Sequence, residues 1–161
     1  MVTRTLVAYF SATGTTAKVA KELAAATGAD LFEIVPDRPY TSADLNWHDK
    51  NSRTTHEMND ESCRPELAGD AADLTAYETV FVGFPVWWYV EPRIIDTFLE
   101  AHDFAGKTVV PFATSGSSGL GRAPERMQAL IPSAKVLAGG LLNGRPTQAD
   151  LATWAEKALE I

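Results

Sequence analysis

The chain has 161 residues, 45% of them hydrophobic, a formal net charge of −7 and one cysteine, Cys63. That length suits a single domain over 1–161 that buries about two-thirds of its unfolded surface; the apolar content argues against disorder and the acidic balance against nucleic acid as a partner. One cysteine rules out an internal disulfide and fits a reducing compartment. With no signal-peptide pattern before the first strand and no apolar run long enough for membrane insertion, the expected location is cytoplasmic.

Strands and helices alternate along the chain. Leu6–Phe10 is a continuous apolar run and predicts a buried strand. Residues 15–27 predict a helix with Val19, Ala20, Leu23 and Ala24 on one face, closed by Gly28 as its C-cap. Asp30–Val35 predicts a second strand, ended by Pro36. The segment 36–78 is polar and the hardest to read. Residues 42–58 are the candidate for a second helix because no proline intervenes, although Ala43, Leu45 and Trp47 give little stripe. His48 and His56, with no third ligand nearby, read as a solvated helix face, so no metal is expected. An insert of this length beside a sheet rim is placed to cover a ligand.

Val80–Phe84 predicts the third strand, Arg93–Ala101 a helix with Ile94, Ile95, Phe98 and Leu99 inward, and Thr108–Ala113 the fourth strand. Residues 122–131 predict a helix and Ala134–Leu137 a short fifth strand. The last helix is expected over 147–159, with Leu151, Trp154, Ala155, Ala158 and Leu159 inward. Such alternation implies an α/β three-layer sandwich, a five-stranded parallel sheet with right-handed crossovers and helices on both faces. Ligands of such sheets bind beyond the carboxyl ends of the strands.

Three of those ends carry unusual loops. The first, Ser11-Ala-Thr-Gly-Thr-Thr16, sits between the first strand and the first helix. Helix-start N–H groups, the hydroxyls of Ser11, Thr13, Thr15 and Thr16, and the tight turn allowed by Gly14 make an anion site. The loop holds no lysine or arginine, so it does not match the nucleoside-triphosphate loop and suits one dianionic phosphate held by neutral donors. The alternative is a helix start that only caps itself. The second loop places Pro85, Val86, Trp87, Trp88 and Tyr89 at a strand end, where a flat aromatic ligand would give the rings a stacking partner. The alternatives are a lid on the core or an oligomer interface. The third loop, Thr114-Ser115-Gly116-Ser117-Ser118-Gly119-Leu120-Gly121, offers hydroxyl donors and close backbone approach. The Gly116–Gly119 stretch lacks the spacing of a hydrolase nucleophile, and no histidine follows it.

Ser11-x-Thr13-Gly14-x-Thr16 resembles the phosphate loop of flavodoxins, and the resemblance extends over nearly the whole chain. It implies the sheet order 2-1-3-4-5 and FMN as cofactor, with the flavin carrying the chemistry and no catalytic side chain. It implies the FMN phosphate on Ser11, Thr13, Gly14, Thr15 and Thr16. Trp87 would lie beside the flavin ring, with the backbone of Val86 to Tyr89 at its N5 edge, and the N–H groups of Thr114, Ser115, Gly116, Ser117 and Gly119 at its pyrimidine end. Two departures stand out. The third loop has no aromatic where many flavodoxins place a tyrosine, so one flavin face is open unless Trp47, Trp88 or Tyr89 covers it. Trp88 also stands where the electron carriers have glycine, which predicts a costly positive φ and poor stabilisation of the one-electron-reduced state.

The expected function is electron transfer through non-covalent FMN, with redox proteins as partners; the acidic surface fits docking onto basic partner faces, and equally fits plain solubility. The alternative is an NAD(P)H-dependent reductase of quinone-type acceptors, for which Trp88 and the missing tyrosine speak. A non-redox domain ranks last because all three loops are equipped. The oligomeric state is not legible.

Overall fold

The computed structural model describes residues 5–12, 14–46, 48–69, 72–88, 90–114, 120–143 and 146–159. Thr13, Tyr89 and residues 115–119, which hold Ser115, Gly116, Ser117 and Gly119 of the candidate site, lie outside the described residues, as does Trp47.

Among the described residues six strands and five helices follow in order: β1 (Thr5–Tyr9), α1 (Thr15–Thr27), β2 (Asp30–Glu33), α2 (Arg53–Asn59), β3 (Thr79–Pro85), α3 (Arg93–Ala101), β4 (Thr108–Thr114), α4 (Ala123–Leu130), β5 (Lys135–Val136), β6 (Gly140–Leu141) and α5 (Gln148–Leu159). The sheet is parallel, with order β2-β1-β3-β4-β5, and β6 also pairs with β4. One core packs Ile94, Ile95, Phe98 and Leu99 of α3 and Met127 of α4 onto Leu6, Ala8, Val80 and Val82. The other packs Val19 and Leu23 of α1 and Leu151 and Ala155 of α5 onto Val7, Tyr9, Phe81 and Val110. Two helical layers thus sandwich the sheet, as the alternating pattern predicts. At the end of α5 the pattern misleads: Leu159 is 39% exposed.

The second helix is much shorter than 42–58. It begins at Arg53, capped by Ser52, whose side chain accepts from the Thr55 N–H. Upstream, short polar side chains hold turns of their own. Thr41 N–H donates to Asp44 Oδ2 and Asp44 N–H to Thr41 Oγ1, while His48 N–H donates to Asn46 Oδ1 and Asn51 N–H to Asp49 Oδ1. These local bonds offer the backbone partners outside a helix.

The fifth strand also departs from expectation. Instead of Ala134–Leu137 it is split into β5 and β6. Val109 pairs with Val136 and Phe112 with Gly140, so the outer strand spends one more residue than β4 between the two pairs. Leu137 N–H still donates to Val109 O at 2.9 Å. Pro111, in the middle of β4, has no N–H to return to the outer strand, and the ladder breaks into a bulge there. Gly139 makes the detour at φ 65 against the Pro111 carbonyl, where a Cβ would collide.

Candidate functional site

The carboxyl ends of β1, β3 and β4 bring the first, second and third loops to one rim. The loops are bonded to one another. Thr16 Oγ1 and Thr114 Oγ1 are 2.8 Å apart, joining the first loop to the third, and both residues are buried, at 1% and 5% exposure. Val86 N–H donates to Thr114 O at 2.9 Å, joining the second to the third. Phe10 N–H donates to Gly83 O at 2.9 Å just below them.

In the first loop Gly14 takes φ 97 and ψ −15 immediately before α1, a left-handed conformation that L side chains rarely adopt. Lys18 N–H closes the first helical turn on Gly14 O at 3.1 Å. The first-turn amides of Thr15, Thr16 and Ala17 therefore lie outside the intrahelical ladder and are available to an anion at the positive end of α1. Ser11 partly follows the self-capping alternative, since its Oγ accepts from the Gly14 N–H at 3.0 Å. Thr15 is exposed, whereas the Thr16 hydroxyl is committed to Thr114. No cationic side chain lies in the loop sequence. This donor set, neutral N–H and O–H groups at a helix start, fits one phosphate group.

The second loop is a tight hairpin. Trp87 N–H donates to Val90 O at 3.0 Å and Val90 N–H returns to Trp87 O at 3.1 Å. Trp88 occupies the first central position of this two-residue turn with φ 50, among the described residues the one non-glycine at positive φ. Two-residue hairpins of the primed type require positive φ there, which explains the conformation. The positive φ that the sequence marks as costly for a non-glycine is already present at Trp88, imposed by the hairpin. Trp88 is 39% exposed. Trp87 is half-buried, edge-on to Phe10 at 5.6 Å and to Tyr40 at 5.3 Å between ring centroids.

Tyr40 is how the 36–78 segment reaches the rim. Its hydroxyl donates to Glu57 Oε1 at 2.5 Å, and the Arg53 guanidinium lies 3.8 Å over its ring. Arg53 Nε in turn bonds Glu57 Oε2 at 2.8 Å. Burial and the Glu57 carboxylate push the Tyr40 phenol well above its ordinary range, so it stays a neutral donor.

Immediately after the hairpin lies a cluster that the sequence did not suggest. Glu91, Arg93 and Asp96 are buried at 0%, 2% and 0% exposure. Arg126 of α4 donates from Nε to Glu91 Oε1 at 3.1 Å and places Nη2 3.7 Å from Asp96 Oδ2. Arg93 Nη1 and Arg64 Nη1 stand 3.7 and 3.9 Å from the same Asp96 oxygen, too far for hydrogen bonds. Arg93 anchors the neighbouring segment: its Nε donates to the carbonyls of Glu57 and Asp60, and its Nη2 to that of Met58. Burial, then the charge of Asp96 and a hydrogen bond with it, push the Glu91 carboxyl up to about 8. Burial also raises Asp96, opposed by that bond and by Arg64, Arg126 and Arg93. Charged residues at 93 and 96 of an amphipathic helix read as solvent-facing; Glu91-Pro92 at the helix start was the available signal.

Of the predicted site residues, the structure thus brings together Ser11, Gly14, Thr15, Thr16, Pro85, Val86, Trp87, Trp88 and Thr114 on one rim. His48 and His56 form no metal cluster: among the described residues no group of three or more His, Cys, Asp or Glu is arranged to hold a metal ion. Among the described residues no helix is long and apolar enough to cross a membrane.

A family model described as Flavodoxin matches residues 4–158. Among solved structures, a protein provisionally assigned as a flavoprotein from Bacteroides eggerthii is 46% identical over 99% of this chain and 100% of its own, with TM-score 0.93. A second, from Bacteroides uniformis and also provisionally assigned as a flavoprotein, is 49% identical over 96% of this chain and 98% of its own, with TM-score 0.91. A flavoprotein from Lactobacillus acidophilus solved with FMN shares the fold at 19% identity and TM-score 0.73, over 96% of this chain and 99% of its own. No curated protein matches the chain.

Proposed function

We propose an FMN-dependent redox function from one premise: the chain belongs to the flavodoxin family. The protein binds FMN non-covalently at the rim, and the bound flavin supplies reversible electron transfer. The first-turn amides of α1 with Ser11, Thr13, Gly14, Thr15 and Thr16 would hold the phosphate. Pro85, Val86, Trp87, Trp88 and Tyr89 would flank the ring, and Thr114 with Ser115, Gly116, Ser117 and Gly119 would meet its polar end. One observation carries the reading: Thr114 accepts from Val86 and contacts Thr16, so three separate loops close on one another around a neutral-donor helix start.

Electron transfer between proteins is the primary role. The net charge of −7 supports steering onto a basic partner face. The second reading, a reductase taking hydride from NAD(P)H and passing electrons to a quinone-type acceptor, is favoured by the exposed Trp88 and by a third loop without an aromatic. The cytoplasm suits either role.

An anaerobic titration of the FMN-loaded protein with NADPH, followed in the visible spectrum, separates them. A carrier keeps its flavin oxidised until a protein donor is added. Rapid bleaching assigns the reductase role. A protein that takes up no FMN overturns both.

A further inference from the structure

The cluster behind the hairpin has an unbalanced account of hydrogen bonds. With all groups in their ordinary charge states, Glu91 Oε2, both Asp96 carboxyl oxygens and Arg93 Nη1 are buried without a partner. Buried carboxylate oxygens without donors are costly, and native structures resolve such groups with a proton, a water or an ion. The two carboxyl groups act on each other's proton affinity, and a hydrogen bond between them would need a proton on one of the two.

The surrounding charges agree. On α3 the pair faces Arg93 and, one turn on, Glu100. On α4 it faces Arg126, and from the 57–64 segment Arg64, Glu61 and the Asp60 end of that stretch. Glu100 takes Arg64 at 2.7 Å, and the exposed Glu61 meets Arg126 at 3.4 Å. Three guanidiniums therefore meet five carboxylates, so positive charge is short around the buried pair. A shared proton relieves that shortage.

We propose that Glu91 and Asp96 hold one proton between them, and that this proton positions the 85–90 hairpin so that flavin affinity falls when it leaves. Glu91 follows Val90 directly, and Arg126 bridges it to the helix after the third loop. When the proton leaves, two buried carboxylates face each other behind the hairpin that bears Trp87 and Trp88. Glu91 is a positioning residue: it acts through the hairpin backbone, with no part in the electron transfer itself. The direction of the Glu91 shift, upward through burial and the Asp96 charge, agrees. The hairpin coupling rests on the FMN reading; the shared proton does not.

The test uses the full chain with and without FMN. In the apo protein, difference infrared spectra between about pH 6.5 and about pH 9.5 should show a protonated-carboxyl band that disappears as pH rises and is missing from Glu91→Gln. In parallel, the FMN dissociation constant, read by flavin fluorescence quenching, should rise about tenfold over that range for the natural chain and stay flat, relative to it, for Glu91→Gln, which keeps an oxygen for Arg126 Nε. Because FMN's own titration is common to both proteins, their ratio isolates the pair. Asp96→Asn is the second variant and should flatten the profile likewise. Absence of the band at pH 6.5 overturns the shared proton. A band with parallel pH profiles in natural and variant chains overturns the coupling to the hairpin. If no FMN binds, the coupling falls with the flavin reading, while the infrared band still decides the shared proton.

Discussion

The Thr16–Thr114 hydroxyl pair offers the sharpest test of how the rim is built. The two oxygens are 2.8 Å apart, and neither residue is more than 5% exposed. Thr16→Val removes one hydroxyl and leaves the other buried without its partner, a cost of about 1–3 kcal/mol. Thr114→Val does the same from the other side. Replacing both removes the pair without stranding either member, which is nearly neutral when shapes match. Taking about 1.5 kcal/mol for each single change, the double variant should return to within about 0.5 kcal/mol of the natural chain. The coupling is then about 3 kcal/mol, at the upper end of what contacting residues show. With a urea dependence of about 2 kcal/mol/M, each single variant moves the unfolding midpoint down by about 0.7 M and the double restores it.

The same cycle reports on the ligand. If the Thr16 hydroxyl serves the other loop, the singles weaken FMN by at most about tenfold, the equivalent of about 1.4 kcal/mol, and the double regains most of it. Urea unfolding of apo protein and fluorescence titration of FMN are the two assays. Single variants that cost under about 0.5 kcal/mol and add in the double would refute the hydroxyl tie. A double variant that refolds to natural stability yet still binds FMN weakly would place the Thr16 hydroxyl on the phosphate instead.

Trp88 at φ 50 predicts an inverted order of small residues: Trp88→Gly should be more stable than Trp88→Ala by about 1 kcal/mol in urea unfolding, because both lose the indole and only alanine bears the left-handed penalty. Equal stability would mean the turn relaxes to negative φ. Glu91 predicts a pH dependence with a definite sign. Its folded pKa of about 8 lies above the ordinary carboxyl value of 4.5, so between them the folded chain holds more protons than the unfolded one. Apo stability should then fall as pH rises through that window, by up to about 1.4 kcal/mol per pH unit, and level off above it. Urea midpoints for Glu91→Gln should lack this slope. Gly139→Ala should cost about 3 kcal/mol, since the new methyl meets both the left-handed φ and the Pro111 carbonyl; a midpoint shift under a third of that would mean the β5–β6 bulge is soft.

The alternating apolar runs were enough to predict the sheet, its helical layers and the bounds of α1 and α3, because each buries a continuous face whose period is local. The three rim loops were legible for the same reason: their residue types are unusual where they stand. What escaped the sequence depends on partners far along the chain. The second helix starts at Arg53 because Thr41, Asp44, Asn46 and Asp49 tie up the preceding backbone, a competition that lack of proline does not reveal. The fifth strand breaks because of Pro111 on its neighbour, which no pattern within 134–142 records. Arg93 and Asp96 are buried because carbonyls at 57–60 and Arg126 meet them there.

These long-range contacts also tie the rim into the rest of the fold. Thr114 joins the first and second loops, and Trp87 is wedged between Phe10 and Tyr40. Tyr40 is fixed by Glu57 and Arg53, and the carbonyls that follow along α2 are held by Arg93 at the start of α3. A chain of contacts thus runs from the polar 36–60 segment through both aromatic residues to the hairpin, and from the hairpin through Glu91 and Arg126 to α4. Sites ordered in advance spend less of their binding energy on ordering side chains and loops. The polar insert therefore acts first as a brace: through Tyr40 it sets the ring of Trp87, and through Arg93 it sets the helix behind Glu91. Tyr40→Phe severs only the Glu57 bond and keeps the ring, so its effect on FMN affinity measures how far that brace reaches the flavin. A loss of threefold or more carries the brace to the site, whereas unchanged affinity confines it to the insert.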